Sequence, residues 1–388
     1  MTSSPVSTTP SATLRILQVL EPSGGGSGRH FLDLCRGLRE RGNHVEAVYS
    51  PLRAEDAFVR ELKSLGLAAV HAVAMKRAPG PSDVAAFRAL HRIIATNPRF
   101  DVVHGHSSKA GALTRLRLPG PHIPRVYTPH AFRTMDPTLG KGGRILYGAI
   151  EIILARLFTD RLICVSNDEY AHARSLCMPA RRLSTIVNGV TPPPMAMART
   201  VRSSFGIPDG DFVFGFVGRL SHQKAPERLI EAFRSAASRL PNARLIVVGS
   251  GELEGDIRRL IADSDLQNRI HLTSAFTGAQ AVPAFDVLVM PSRYEAMSYV
   301  MLEAAAAGKP IISTDVGGAA TVIDNGANGV IVANDGDTGK LASSMVECAN
   351  PERYADLEAA ALSRMSAFSA ETMIDQTEAL YRQLARRR

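Results

Sequence analysis

The chain has 388 residues, 45% hydrophobic and 21% charged, a length that suits two domains of ordinary size, with no apolar run long enough to span a bilayer. Its formal net charge of +8 is uneven: residues 14–188 carry 25 Lys and Arg against 14 Asp and Glu, and the remainder carries 20 against 23. A basic first half points to an anionic partner, and with aromatics at 6% and no nucleic-acid motif, an anionic membrane surface ranks above nucleic acid. Residues 1–13 lack Lys, Arg and an apolar stretch, so they read as a leader without signal-peptide character. Short apolar runs then alternate with amphipathic stretches: strands are expected at 15–20, 44–49, 68–73, 101–104, 125–128, 161–165 and 184–187, with helices at 28–41, 54–65, 82–96, 108–117, 143–158 and 167–177. The proline run from Thr191 reads as a linker, after which strands resume at 212–217, 243–248, 269–272, 285–290, 310–313 and 329–332, and 369–388 closes the chain as a helix. The expected architecture is α/β, with two doubly wound domains (14–190 and 191–368) and a cleft between them.

Several turns at strand ends carry residues suited to binding. After the first strand, Glu21-Pro-Ser-Gly-Gly-Gly-Ser-Gly28 brings backbone N–H groups within reach of an anion. A dinucleotide fingerprint is rejected, because Arg29 or Phe31 stands where its last glycine belongs. His104, His106 and His130 also fall at strand ends; each suits a structural role or a hydrogen bond to a sugar hydroxyl, and none has the carboxylate company of a metal site. Gly218, Arg219 and Lys224 follow the strand at 212–217, where two cations either cap loops or neutralise a diphosphate. Gly249 and Gly251 follow the next strand. Pro291-Ser-Arg-Tyr-Glu295 leads into a helix that carries Glu303, and two acids around a helix start can grip hydroxyls on either side of a phosphate. Four cysteines, Cys35, Cys164, Cys177 and Cys348, have no paired spacing and read as reduced thiols of a cytoplasmic protein.

In their order these segments resemble the retaining glycosyltransferases of family 4, which have the GT-B fold of two Rossmann-like domains facing a central cleft. The matching stretches are the glycine loop 24–28, Asp101–Gly111, His130, Val165-Ser166, Asn188-Gly-Val190, Gly218-Arg-Leu220 with Lys224, Glu295 with Glu303, Gly308-Lys-Pro310 and Thr314-Asp-Val-Gly-Gly318. The resemblance implies that the second domain binds a UDP- or GDP-sugar. Arg219 and Lys224 would hold the diphosphate with the backbone of Met297, Ser298 and Tyr299, and Gly218 and Gly249 would line the same edge. Glu295 would take sugar hydroxyls and Glu303 the ribose, Gly25 and Gly26 would close over the donor, and His130 would meet the sugar near its reacting carbon. The first domain would receive the acceptor, with His106, Lys109 and Arg133 as candidates, and helix 369–388 would cross back to it. Two departures stand out: Ala131 and Ala296 occupy places where members often have glycine.

The implied reaction moves a hexose to a hydroxyl of a lipid-linked or soluble saccharide in polysaccharide biosynthesis, with retained anomeric configuration, at the cytoplasmic side and peripheral to its membrane. No cofactor is expected. The Asp-x-Asp pairs at 209/211, 263/265 and 335/337 fall in apparent surface turns, so no metal is expected either. A nucleotide-sugar epimerase, a phosphorylase and a non-catalytic sugar-nucleotide-binding protein are the alternatives of similar architecture.

Overall fold

Thirteen strands form two sheets in the computed structural model, which describes residues 12–76, 78–95, 98–136, 139–295 and 297–386. The first sheet comprises β1 (Arg15–Leu20), β2 (His44–Tyr49), β3 (Ala69–Ala72), β4 (Val102–His106), β5 (Arg125–Thr128), β6 (Arg161–Cys164) and β7 (Leu183–Thr185), in the order β3-β2-β1-β4-β5-β6-β7. The second comprises β8 (Phe212–Val217), β9 (Ala243–Val248), β10 (Ile270–Thr273), β11 (Val287–Met290), β12 (Ile311–Thr314) and β13 (Gly329–Val332), in the order β10-β9-β8-β11-β12-β13. Pairing is parallel, and helices supply the crossovers: two doubly wound, Rossmann-like sheets of the GT-B class. Order reverses between β1 and β4 in one sheet and between β8 and β11 in the other.

Alternation along the strands explains the burial. In the second sheet Val213, Ile246, Val248, Leu288 and Met290 pack on one face, while Phe214, Phe216, Leu245, Val247 and Val289 pack on the other. Both faces are covered, so the strands are largely apolar instead of alternating strictly with polar residues.

The described chain divides into two compact units, Met1–Pro129 with Gly140–Ile163 and Gln376–Arg388, and His130–Leu139 with Cys164–Asp375. The expected junction at 190/191 therefore lies inside the second unit. There, Val190 N donates to Phe368 O at 2.9 Å and Ala370 N to Val190 O at 2.9 Å. Gly189 permits this contact, since a Cβ on it would lie 2.1 Å from Ser369 O. The closing helix spans Ala370–Ala385 and is capped by Ser369, whose Oγ accepts from Thr372 N at 3.1 Å.

Many expected boundaries shift by one to three residues, and three of the shifts bear on the candidate site. The first helix begins at Gly25, not 28, because Gly28 N already donates to Gly24 O at 3.0 Å and recruits the glycine run into its first turn. β4 continues to His106, and β11 starts at Val287 because Val282–Ala284 form a 3-10 turn.

Candidate active site

Ligands of open α/β sheets sit beyond the carboxyl ends of the strands where strand order reverses. In the second unit that place is framed by the loops after β8 and β11. Lys224 Nζ donates to Glu295 Oε1 at 2.5 Å, and Ser292 Oγ donates to the same oxygen at 2.8 Å. Their side chains are 19% and 7% exposed, so the pair is screened from water on most sides. An ammonium has three donors and a carboxylate two oxygens, so this arrangement leaves capacity on both for a phosphate oxygen and a hydroxyl.

The two loops are fastened to each other. Arg293 N donates to Gln223 O at 2.8 Å, Gln223 Nε2 to Tyr294 O at 3.1 Å, and Arg293 Nη1 to His222 O at 2.6 Å. Arg293 also pairs with Glu227 at 2.6 Å, and Thr314 Oγ1 donates to Ser292 O at 2.6 Å from the neighbouring strand. Arg219 itself is exposed. Its loop lies against the turn after β9: Gly218 N donates to Val248 O at 3.0 Å, and Leu220 N to Ser250 O at 2.9 Å. Gly249, at φ 148°, makes this approach possible, since a Cβ there would stand 1.9 Å from Gly218 O.

Glu303 lies on helix Tyr299–Ala306, two turns beyond Glu295 in sequence, and a Cβ on Gly278 would fall 2.5 Å from its Oε2. Ser298 precedes that helix at its cap; it is buried, and its Oγ has no hydrogen-bond partner among the described residues. An orphaned hydroxyl beside a helix N-terminus suits a ligand acceptor atom. Met297 and Tyr299 pack against the apolar core, while Ala296 lies outside the described residues.

His130 belongs to the same unit and sits at φ 52°, followed by Ala131 at φ 77°. Left-handed backbone costs a residue with a Cβ about 1 kcal/mol or more, so this turn needs an outside hold. Glu169 supplies it: its Oε1 accepts from Ala131 N at 2.7 Å and its Oε2 from Val165 N at 2.7 Å, while the residue is only 2% exposed. Ser166 Oγ caps the helix Asn167–Ser175 by accepting from Glu169 N at 3.1 Å. From the second residue of that helix, Asp168 Oδ2 accepts from Gly318 N at 2.7 Å, which ties the turn after β12 to the same helix start. Sequence reasoning missed Glu169 as a functional residue, although the Ser166-x-x-Glu169 spacing of a capping box was there to find it.

The remaining candidates are committed within their own units. Gly25 is exposed at φ 59°, and its N–H donates at 3.2 Å to Glu55 Oε1, so a carboxylate occupies the turn where an anion was expected; Gly26 beside it is exposed. His106 is fully buried, with Nε2 2.8 Å from Gln18 Oε1. Next to it, His104 bonds Thr128 Oγ1 at 2.8 Å and the Tyr381 hydroxyl; burial pushes its imidazole well below the ordinary 6.5, with His30 adding to the shift. Lys109 Nζ meets both oxygens of Asp83 at 2.8 and 2.6 Å, and Arg133 meets Asp136 at 2.5 Å. Of the Asp-x-Asp pairs, Asp211 pairs with Arg244, Asp335 with Lys340, and Asp337 caps helix Thr338–Cys348; Asp209, Asp263 and Asp265 are exposed.

Two family models match this chain in succession: Glycosyltransferase Family 4 over residues 24–192 and Glycosyl transferases group 1 over residues 198–361. The UDP-Gal:alpha-D-GlcNAc-diphosphoundecaprenol alpha-1,3-galactosyltransferase of Escherichia coli is 32% identical over 253 residues, which are 62% of this chain and 64% of that enzyme. The D-inositol 3-phosphate glycosyltransferase of Gordonia bronchialis is 30% identical over 328 residues, 76% of this chain and 69% of that one. In fold, the chain is similar to Anabaena Alr3699/HepE in complex with UDP, with a TM-score of 0.77 at 20% identity, covering 95% of this chain and all of the other. By these matches the chain belongs to the family 4, group 1 glycosyltransferases.

Proposed function

We propose that this glycosyltransferase moves a hexose from a UDP-sugar to a hydroxyl of a diphospholipid-linked saccharide, with retention at the anomeric carbon and without a metal. The observation that carries the reading is the Lys224–Glu295–Ser292 cluster at the β8/β11 edge, with the exposed Arg219 on the same loop after β8 as Lys224. Cations there stabilise the diphosphate as its bond to the anomeric carbon breaks. The acceptor oxygen bonds to that carbon on the same face, and its proton passes to the departing diphosphate oxygen. Arg219 and Lys224 do the charge work commonly left to a divalent ion. Glu295 is held by Lys224 and Ser292, which favours hydroxyl binding over nucleophilic attack; Glu303 takes the ribose and His130 the sugar near its reacting carbon.

UDP is preferred to GDP because the Escherichia coli relative is named for UDP-Gal, and its named acceptor is a lipid diphosphate sugar. The Gordonia relative, named for D-inositol 3-phosphate, supplies the second acceptor to test. A thermal-shift panel of UDP, GDP and their sugars is decisive for the donor. Ligand at about 100 times its Kd stabilises the native state by roughly 2.7 kcal/mol, so UDP and one UDP-sugar should raise the melting temperature and GDP should not. A flat response to every nucleotide overturns the reading. Turnover that persists in EDTA supports the metal-free path, and turnover abolished by EDTA and restored by magnesium removes it.

A further inference from the structure

We propose that helix Lys141–Leu157 in the first unit is a docking face that lays the protein on an anionic lipid bilayer. Ile145 is 74% exposed, Leu146 59%, Ile150 38%, Ile153 53% and Leu157 67%. At a spacing of three and four residues these side chains form one outward stripe. Five large aliphatic residues together on one helix make a continuous apolar patch of the kind that marks an interaction surface, unlike singly scattered apolar residues.

The inward face explains why the stripe cannot turn away. Glu151, the one acid in this helix, is buried: its Oε2 accepts from Arg115 Nη2 at 2.9 Å, and its Oε1 from the Tyr127 hydroxyl at 3.1 Å. The Arg115 guanidinium lies 3.8 Å from the centre of the Tyr127 ring, and Arg115 is fully buried. Breaking a buried pair by rotation leaves two uncompensated charges inside, so the orientation is fixed. The exposed charged residues of the helix itself are then all basic: Lys141, Arg144 and Arg156.

Charge chooses the occupant. A second copy seated on this face would set cations against cations, with no exposed acid on the helix to relieve them. An anionic bilayer receives aliphatic side chains below its headgroups and cations among its phosphates. Among the described residues no helix is long and apolar enough to cross a membrane, so the helix lies in the interface plane. This inference rests on the face alone and not on the donor assignment.

Flotation with phosphatidylcholine vesicles, with and without about 30 mol% phosphatidylglycerol, tests it. The full chain should float with the anionic vesicles, and its partition should fall about tenfold or more in neutral vesicles or at high salt. The double variant Ile145→Asp/Ile153→Asp should lose at least about tenfold in partition, with its melting temperature and UDP-induced shift intact, since both residues are exposed and remote in sequence from the donor site. Equal flotation by wild type and variant overturns the proposal, as does no flotation of the wild type. A wild-type dimer that the same substitutions dissociate, read by light scattering, also overturns it by giving the face to a second copy. A missing UDP shift with vesicle binding retained strikes the donor reading only.

Discussion

The two sheets present glycine turns at equivalent edges and brace them differently. In the second unit, bonds from Arg293, Gln223 and Lys224 bridge the β8 and β11 loops across the place where strand order reverses. In the first unit, the turn after β1 is tied sideways to the segment after β2: Ser23 Oγ donates to Ser50 O at 3.1 Å, Glu55 N to Ser23 O at 3.0 Å, and Arg53 pairs with Glu21 at 3.0 Å. Across its own reversal, between β1 and β4, the first sheet has buried side chains instead, with Gln18 bonded to His106. The second edge is therefore fastened across its reversal by loop-to-loop bonds, while the first keeps a tight polar core beneath a glycine turn whose N–H is held by one exposed carboxylate. Preorganised charge is where catalytic stabilisation is largest, so substitutions should hurt activity most in the second unit.

The largest effect is expected at Lys224. Lys224→Ala and Arg219→Ala should each lower kcat by about a hundredfold or more if each serves the leaving group. Lys224→Ala should also lower stability, because Glu295, 7% exposed, loses the cation beside it. Arg219→Ala should leave stability unchanged, since that side chain is exposed. Near-normal turnover in both variants would place the diphosphate elsewhere and dissolve the contrast between the two edges.

Glu169→Gln comes next. The amide keeps one acceptor oxygen for the two N–H groups now taken by a carboxylate, so the Ala131 turn loses a charge-assisted bond of roughly 1.5–3 kcal/mol. If His130 acts on the sugar as proposed, kcat should fall about tenfold or more with the UDP-induced thermal shift retained, because the carboxylate of Glu169 is taken up by the N–H groups of Ala131 and Val165. A fall in stability with kcat unchanged would make Glu169 a purely structural clamp.

A pH effect sharpens the picture of the first unit. His104 has its folded-state pKa pushed below 6.5, so below that pH the unfolded chain takes up a proton that the folded chain refuses. Stability should fall as pH drops through 6.5, by up to about 1.4 kcal/mol per pH unit from this residue. His91 and His271 are shifted in the same direction by burial. The share from His104 is therefore the difference between wild type and His104→Gln in urea midpoints at pH 7.5 and 5.5, and an identical loss in both would remove it.

The strands were legible because both faces of each sheet are buried, which writes them as mainly apolar runs: β1, β2, β5, β8, β9 and β13 fall where the pattern puts them. Helix ends moved where glycine gave no periodic signal, as at Gly25. Lys224 and Glu295 were legible because they stand at strand-to-loop junctions, whereas their direct bond, formed 71 residues apart, was not. Glu169 was hidden for a related reason: its targets, Ala131 and Val165, are backbone N–H groups, and any sequence supplies those. The helix at 141–157 was ambiguous, since an apolar stripe facing inward and one facing outward share one periodicity; burial of Glu151 decides between them.

The smallest expected effect concerns the turn after β1. Glu55 is exposed and its bond to Gly25 N–H is 3.2 Å long, so Glu55→Gln should change stability by no more than about 0.5 kcal/mol. If that turn binds an anion, the carboxylate competes for the same N–H group, and its negative charge disfavours any phosphate brought near. Removing the charge while keeping the side chain's shape should then lower the donor KM by roughly two- to threefold at unchanged kcat. A KM that stays constant or rises would assign the glycine run to folding the first turn of its helix, and would leave anion binding to the braced edge of the second unit alone.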